Sequence, residues 1–211
     1  MIEVHPPEEK IHGVRDFLLH LFTITIGLLI ALGLEAGVER WHHHHLQEEA
    51  NVNLRQEIHD NRKQLAASHA AIGEEKDNLT KVLAFLDAHA AGKPYDIRSI
   101  TLSYTMPPLS DASWKTASAT GVLSYMQYDR VQQYATAYHL QDEFMQLQKE
   151  TLGQYLRLQS YVIAGFDPDK LTATQAQTAG VDVRQAMAYL VAMDQVGDGL
   201  EKRYEEALAA K

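Results

Sequence analysis

FLLHLFTITIGLLIALGL, residues 17–34, is a run of 18 residues without a formal charge. At about 1.5 Å of rise per residue, a helix of that length covers roughly 27 Å, close to the thickness of a bilayer's hydrocarbon core. Asp16 and Glu35 bound the run, and Trp41 follows where an interfacial aromatic belongs. A helix in the core of a water-borne domain is apolar along one stripe, whereas this one is apolar around its whole circumference. It therefore reads as a transmembrane helix over residues 17–38, preceded by a short tail, 1–16. A cleaved signal peptide is the competing reading, with Ala31-Leu32-Gly33 as a small-residue cleavage site. Four acids in the preceding segment (Glu3, Glu8, Glu9, Asp16) and the length of the run oppose it. A chain beginning at Met1 also favours an uncleaved anchor.

Lys10 and Arg15 precede the span and Arg40 follows it, a bias that puts the N-terminus in the cytoplasm and residues 39–211 on the other side. Within the span, Gly27/Ala31 and Gly33/Gly37 are small residues four apart, a spacing that permits close helix–helix approach and is also common in membrane helices generally. His20 is the one ionisable group there and lies a turn from the boundary.

Beyond the span the residues favour helix. No proline or glycine interrupts 38–71, so the helix is expected to continue to about Ala88, with Gly73 a point of weakness. Ile58, Leu65, Ile72, Leu79 and Leu86 recur every seven residues. The companion seam, Leu54, Asn61, Ser68, Glu75 and Val82, is mostly polar, so the segment suits a bundle better than a two-stranded coiled coil. Ala66, Ala67, Ala70 and Ala71 would let neighbours come near. Residues 91–109, with Gly92, Pro94 and Pro107-Pro108, form a long connection with room for a short extended piece. A short helix over 111–120 ends at Gly121. A longer one begins between Ser124 and Asp129, where two capping boxes compete, and runs to Ala164. Its apolar face is read as Val131, Tyr134, Tyr138, Met145, Leu152, Leu156 and Ile163. Thr172 opens a brief helical turn, and Asp182 caps a final helix with the stripe Ala186, Leu190, Met193, Gly197, Leu200, Tyr204, Leu208. The expected architecture is all-α: a transmembrane helix continuing into an antiparallel helical bundle.

RDFLLHLFTITIGLLIALGLEAGVERWHHHH, together with WKTASATGVLSYMQYD at 114–129, resembles an uncharacterised group of bacterial single-pass membrane proteins with an anchor helix and a helical extramembrane domain. The resemblance implies a bacterial envelope protein with a helical domain beyond the membrane, and it carries over no catalytic residues; with the charge bias above, the expected location is the bacterial inner membrane with the C-terminal domain in the periplasm. Physically, Trp114 would bury against the longer helices and Gly121 would permit a turn. Leu123, Tyr125 and Met126 would seal the bundle end.

The net charge of −9 argues against nucleic acid and against a surface that docks broadly on anionic lipid headgroups, and the lack of cysteine removes disulfides, thiolate metal sites and cysteine nucleophiles. Four successive histidines, His42 to His45, circle a helix and cannot converge on one ion. Only His42 with His45, His45 with Glu49, and His44 with Glu48 share a face, but zinc wants three or four ligands, so a metal site at His42, His45 and Glu49 needs another protomer or other histidines such as His5 and His12. The alternative is a partly protonated collar beside lipid headgroups. Asp167-Pro168-Asp169 lacks the glycine and terminal glutamate of a calcium loop and reads as a turn. No phosphate loop, HExxH or nucleophile elbow is present, so neither a cofactor nor an enzymatic activity is expected. The expected role is a membrane-anchored interaction, scaffold or accessory subunit whose partners are the lipid bilayer and either a second copy or another membrane or envelope protein. The alternatives are a metal-binding or sensing protein using the collar, and a small channel or transport regulator using His20, Thr23 and Thr25.

Overall fold

Helix α1 runs from Val14 to Ala90 in the computed structural model, which describes residues 13–95, 104–163 and 170–209. It opens with Asp16 in its first turn, where a negative charge complements the helix dipole. Gly73 leaves it unbroken. It stops two residues later than the sequence suggests, at a Schellman cap. Gly92 adopts φ +65°, Lys93 N–H donates to the Ala88 carbonyl at 2.8 Å and Gly92 N–H to that of His89 at 3.0 Å. Glycine meets the left-handed backbone at the least cost, and Pro94 cannot resume a helix. After α1 come α2 (Ala112–Ala119), a 3-10 turn (Val122–Tyr125), α3 (Tyr128–Ile163) and α4 (Ala173–Ala209). The chain falls into two units, one ending at Glu48 and the other beginning at Glu49, ten residues past the boundary read at 38.

In the second unit every long helix buries residues at alternating spacings of three and four. On α1 both seams are inside: Leu54, Asn61, Ser68, Glu75 and Val82 as well as Ile58, Leu65, Ile72, Leu79 and Leu86. On α4 the rows are Ala176, Val183, Leu190, Gly197, Tyr204 and Ala179, Ala186, Met193, Leu200, Ala207. On α3 they are Tyr134, Gln141, Gln148, Tyr155 and Ala137, Phe144, Thr151, Leu158. Such a seven-residue repeat packs helices side by side at a shallow angle. Each fully buried Leu or Ile contributes about 1.5–3 kcal/mol relative to leaving it in water.

Cross-links give the directions. Glu57, Asn61 and Glu75 of α1 meet Tyr138, Gln141 and Tyr155 of α3, with numbers rising together, so these two helices are parallel. Helix α4 is antiparallel to both: Arg62 meets Glu201 and Asp87 meets Arg184, while Gln141 meets Tyr204 and Tyr161 meets Asp182. The antiparallel packing expected from sequence thus describes α4 against its neighbours. The α1–α3 pair is parallel because the intervening connection crosses back. Tyr104 and Pro107 bond to Gln148, Leu109 N–H reaches Met145, Ser110 reaches Asn61, and Ser113 reaches Glu57.

Several boundaries and faces differ from the reading of the sequence. Leu152 and Leu156 are exposed, while Gln141, Gln148 and Thr151 are inside; α3 turns its polar row toward the polar seam of α1. Ala66, Ala67 and Ala70 face outward. Neither capping box near Ser124 forms: Ser124 Oγ donates back to the Gly121 carbonyl, and α3 starts behind Gln127. The Thr172 box does form. Thr172 N–H donates to Gln175 Oε1 at 2.9 Å and Gln175 N–H to Thr172 Oγ1 at 3.2 Å, and α4 then runs straight through Asp182. Leu208 is half-buried, and Ala207 takes the inside position. His5, His12, the Asp167–Asp169 turn, the end of α3 at Ala164 and residues 96–103 of the 91–109 connection lie outside the described residues.

A charged seam sets the register of α1 against α4. Arg55, Arg62, His69 and Lys76 recur every seven residues on α1. Arg55 donates to the carbonyl of Leu208 at 2.7 Å, in the last turn of α4, where a cation is favoured. Arg62 bonds Glu201 and lies 3.1 Å from Glu205. His69 and Lys76 share Asp194, at 3.0 and 3.1 Å. Partial burial acts to raise the Asp194 carboxyl, but the hydrogen bonds and charges of His69 and Lys76 outweigh it and hold it below its ordinary value. Beside this pair, Gly197 makes room: a Cβ there would lie 2.9 Å from the His69 ring and 3.3 Å from Phe144. That close fit explains a glycine in the middle of a helix.

Candidate functional site

In the first unit every residue from Phe17 to Leu34 is exposed, and α1 contains a stretch long and apolar enough to cross a membrane. The hydroxyls within it are already satisfied. Thr23 Oγ donates to the Leu19 carbonyl at 2.9 Å and Thr25 Oγ to that of Leu21 at 2.8 Å. Back-bonded hydroxyls can face hydrocarbon without leaving an unmet donor. Gly27, Gly33 and Gly37 have open space where a Cβ would stand, and Ala31 is exposed, so the small-residue faces receive no described part of this chain.

Past Val38 the helix carries Arg40, Trp41 and the histidines. Trp41 is exposed and stacks on His45 with centroids 6.2 Å apart at 7°. His42 and His43 are tilted at 6.3 Å, and His43 Nε2 is 4.0 Å from Glu39. Among the described residues no group of three or more His, Asp or Glu side chains is placed to hold a metal ion. His42, His45 and Glu49 stay strung along one helix, as their spacing requires.

The interior of the second unit holds a polar layer drawn from four segments. Asn61 Nδ2 donates to Gln141 Oε1 at 3.0 Å and to the Ser110 carbonyl at 2.7 Å, and Asn61 Oδ1 accepts Ser110 N–H at 2.8 Å. Gln141 Nε2 donates to that same carbonyl at 2.9 Å, while Tyr204 OH donates to Gln141 Oε1 at 2.6 Å. Both amide protons of Asn61 and both lone pairs of Gln141 Oε1 are used. A matched layer of this kind admits one register, since any slip leaves buried donors unmet. Farther along, Tyr155 OH donates to buried Glu75 at 2.9 Å, and the Tyr104 ring lies against that of Tyr155 at 4.9 Å.

The segment around Trp114 is joined to this layer. Trp114, half-buried, stacks on Tyr138 at 5.3 Å and 12°. Tyr138 OH donates to Glu57 Oε1 at 2.7 Å. The other Glu57 oxygen accepts Ser110 Oγ at 2.8 Å and Ser113 N–H at 2.9 Å. Asp111 makes no side-chain cap for α2, so Glu57 of α1 caps that helix from outside. Gly121 sits at φ +72° and starts the 3-10 turn. Val122 and Met126 close this end; Tyr125, assigned to the seal from sequence, is 45% exposed because the 3-10 turn rotates it outward. Glu57 and the repeat Arg55, Arg62, His69, Lys76 went unread in the sequence, although the seven-residue spacing of four basic side chains was visible there.

Comparison with protein-family models, curated proteins and solved structures finds no match, so the reading rests on the chain's own residues.

The tyrosines give the bundle a testable alkaline limit. Burial is the main force pushing the Tyr138 and Tyr155 phenols up, and the facing carboxylates of Glu57 and Glu75 add to it. Burial likewise raises Tyr104, Tyr134 and Tyr204. A raised folded value means that the fold favours the neutral phenol. The stabilisation is complete below the unfolded tyrosine value near 10 and is lost as pH rises through the folded values. Above about pH 10, tyrosinate absorbance from these five should therefore appear together with loss of helical circular dichroism. Full ionisation of all ten tyrosines with helix content intact would contradict the burial described.

Proposed function

We propose that this chain is a single-pass membrane protein whose helical domain serves as an interaction or accessory module, without catalytic activity of its own. The observation that carries the reading is the fully exposed apolar turnings of α1 at residues 17–34, which only lipid or other apolar chains can cover. The interior of the bundle supports it from the other side: Asn61, Gln141, Tyr204, Glu75 and Tyr155 are engaged in holding segments together. Exposed apolar side chains on the bundle, among them Leu152, Leu156 and Val181, offer partner-facing surface. The resemblance of the anchor and of the Trp114–Asp129 stretch supports a bacterial inner membrane, and Lys10 and Arg15 against Arg40 support a cytoplasmic N-terminus and a periplasmic bundle.

The partner is a second copy or another envelope protein. Mild crosslinking of native membranes, followed by detergent extraction, should yield a discrete homo-oligomer or a reproducible complex. Monomer alone after crosslinking would refute the interaction role.

A further inference from the structure

Helix α3 carries a second stripe outside its buried rows. Val131, Tyr138, Met145 and Leu152 recur every seven residues, and Lys149 and Leu156 fall on the same stripe at intervening positions. Up to Met145 the chain itself covers this stripe: Trp114 stacks on Tyr138, and Leu109 N–H donates to Met145 Sδ at 3.4 Å. Beyond Met145 the stripe is bare, with Leu152 41% and Leu156 58% exposed. An open groove of about 1020 Å³ lies at the break, lined by Tyr104 and Met106 from the connection and by Met145, Lys149 and Leu152 from α3.

Lys149 selects the occupant. The acids beside it in the groove are engaged: Glu150 accepts Gln146 Nε2 at 3.2 Å, and the charge of Lys115 reaches Asp142. Lys149 has no hydrogen bond or ion pair among the described residues. It stands one helical turn from Met145 and from Leu152, so whatever covers the two leucines also takes water from its ammonium group. A cation stripped of water needs a carboxylate within reach. In a symmetric pair centred on this face, Lys149 would meet its own copy, a like-charge contact that rejects a second copy of this chain.

We propose that the open half of the stripe, from Met145 to Leu156, is a docking site for an apolar segment of another membrane or envelope protein, one that carries an Asp or Glu opposite Lys149. The inference deepens the interaction reading above and rests on it. The occupant continues over the bare half the cover that residues 109–114 lay over the other.

In native membranes, the full-length protein carries a benzophenone-bearing phenylalanine in place of Leu152 or Leu156. As controls, the same group replaces Val52 or Val191, exposed at 59% and 41%. Irradiation should join the first two positions to one other protein, and sequencing of the joined peptides should find an Asp or Glu within the attached apolar segment. The controls should not give that adduct. Lys149→Glu should lower its yield about fivefold, and Lys149→Arg should keep it. Lysine in place of the partner's carboxylate should restore the yield alongside Lys149→Glu. Attachment to a second copy, to lipid or to a segment without an acid overturns the proposal, as does a yield indifferent to Lys149→Glu or equal at the controls. No adduct at Leu152 and Leu156 while amine crosslinking still yields a complex removes this site and leaves the interaction reading. Monomer in both experiments removes the two together.

Discussion

Gln141→Leu should cost the bundle about 2–6 kcal/mol, because it strands two buried donors at once. Tyr204 OH and one Asn61 amide proton both end on Gln141 Oε1. The Ser110 carbonyl also loses one of its two donors. Leucine restores volume but no acceptor, so the loss is that of unmet polar groups rather than of a cavity. Adding Asn61→Leu and Tyr204→Phe should recover part of it, since removing all partners costs less than orphaning some of them. Urea unfolding of the full chain in detergent, followed by circular dichroism, measures both. A single-variant loss under about 1 kcal/mol would show that this layer does not hold the register.

The second large effect concerns the apolar stretch. Leu28→Arg with Leu29→Arg places two guanidinium groups near the middle of residues 17–34, at about 2.5–3.5 kcal/mol each for a helix crossing lipid. Roughly 5–7 kcal/mol is enough to abolish stable insertion, and the protein should move from the carbonate-resistant membrane fraction to the extractable one. The same two arginines at Val52 and Asn53, both exposed on the second unit, should leave fractionation unchanged. Equal behaviour of the two variants would mean that lipid does not surround Leu28 and Leu29.

The parts of this fold that could be read from sequence were those in which residue type alone states the environment. The run from Phe17 to Leu34 carries no formal charge and is apolar on every face of the helix, so no choice of face arises. Helix α4 from Ala186 to Tyr204 alternates apolar and polar cleanly, and its stripe is the buried one. Its first ten residues were obscured because Ala176, Ala179 and Gly180 are buried by virtue of being small, which hydropathy does not register. Helix α3 was misread for a deeper reason. Leu152 and Leu156 are more apolar than Gln148 and Thr151, yet they lie outside. Its inward row is polar because the row it meets on α1 is polar, and a match between two segments 80 residues apart is invisible in either one. Thr151 is content inside because it bonds its own helix at the Leu147 carbonyl, 2.7 Å away. The parallel course of α1 and α3 likewise depends on where residues 104–127 lie, and their guide is Glu57, a residue unremarkable by type.

The absence of cysteine makes the most direct test a clean one, since any introduced thiol is the only one. Val14→Cys, Ala31→Cys and Thr178→Cys, all at exposed positions, are each treated with a membrane-impermeant maleimide in sealed vesicles, right-side-out and inverted. A helix that crosses the bilayer leaves Ala31→Cys unlabelled in both until detergent is added, and lets Val14→Cys and Thr178→Cys react from opposite sides. Labelling of Ala31→Cys in intact vesicles, or of Val14→Cys and Thr178→Cys from the same side, would contradict it.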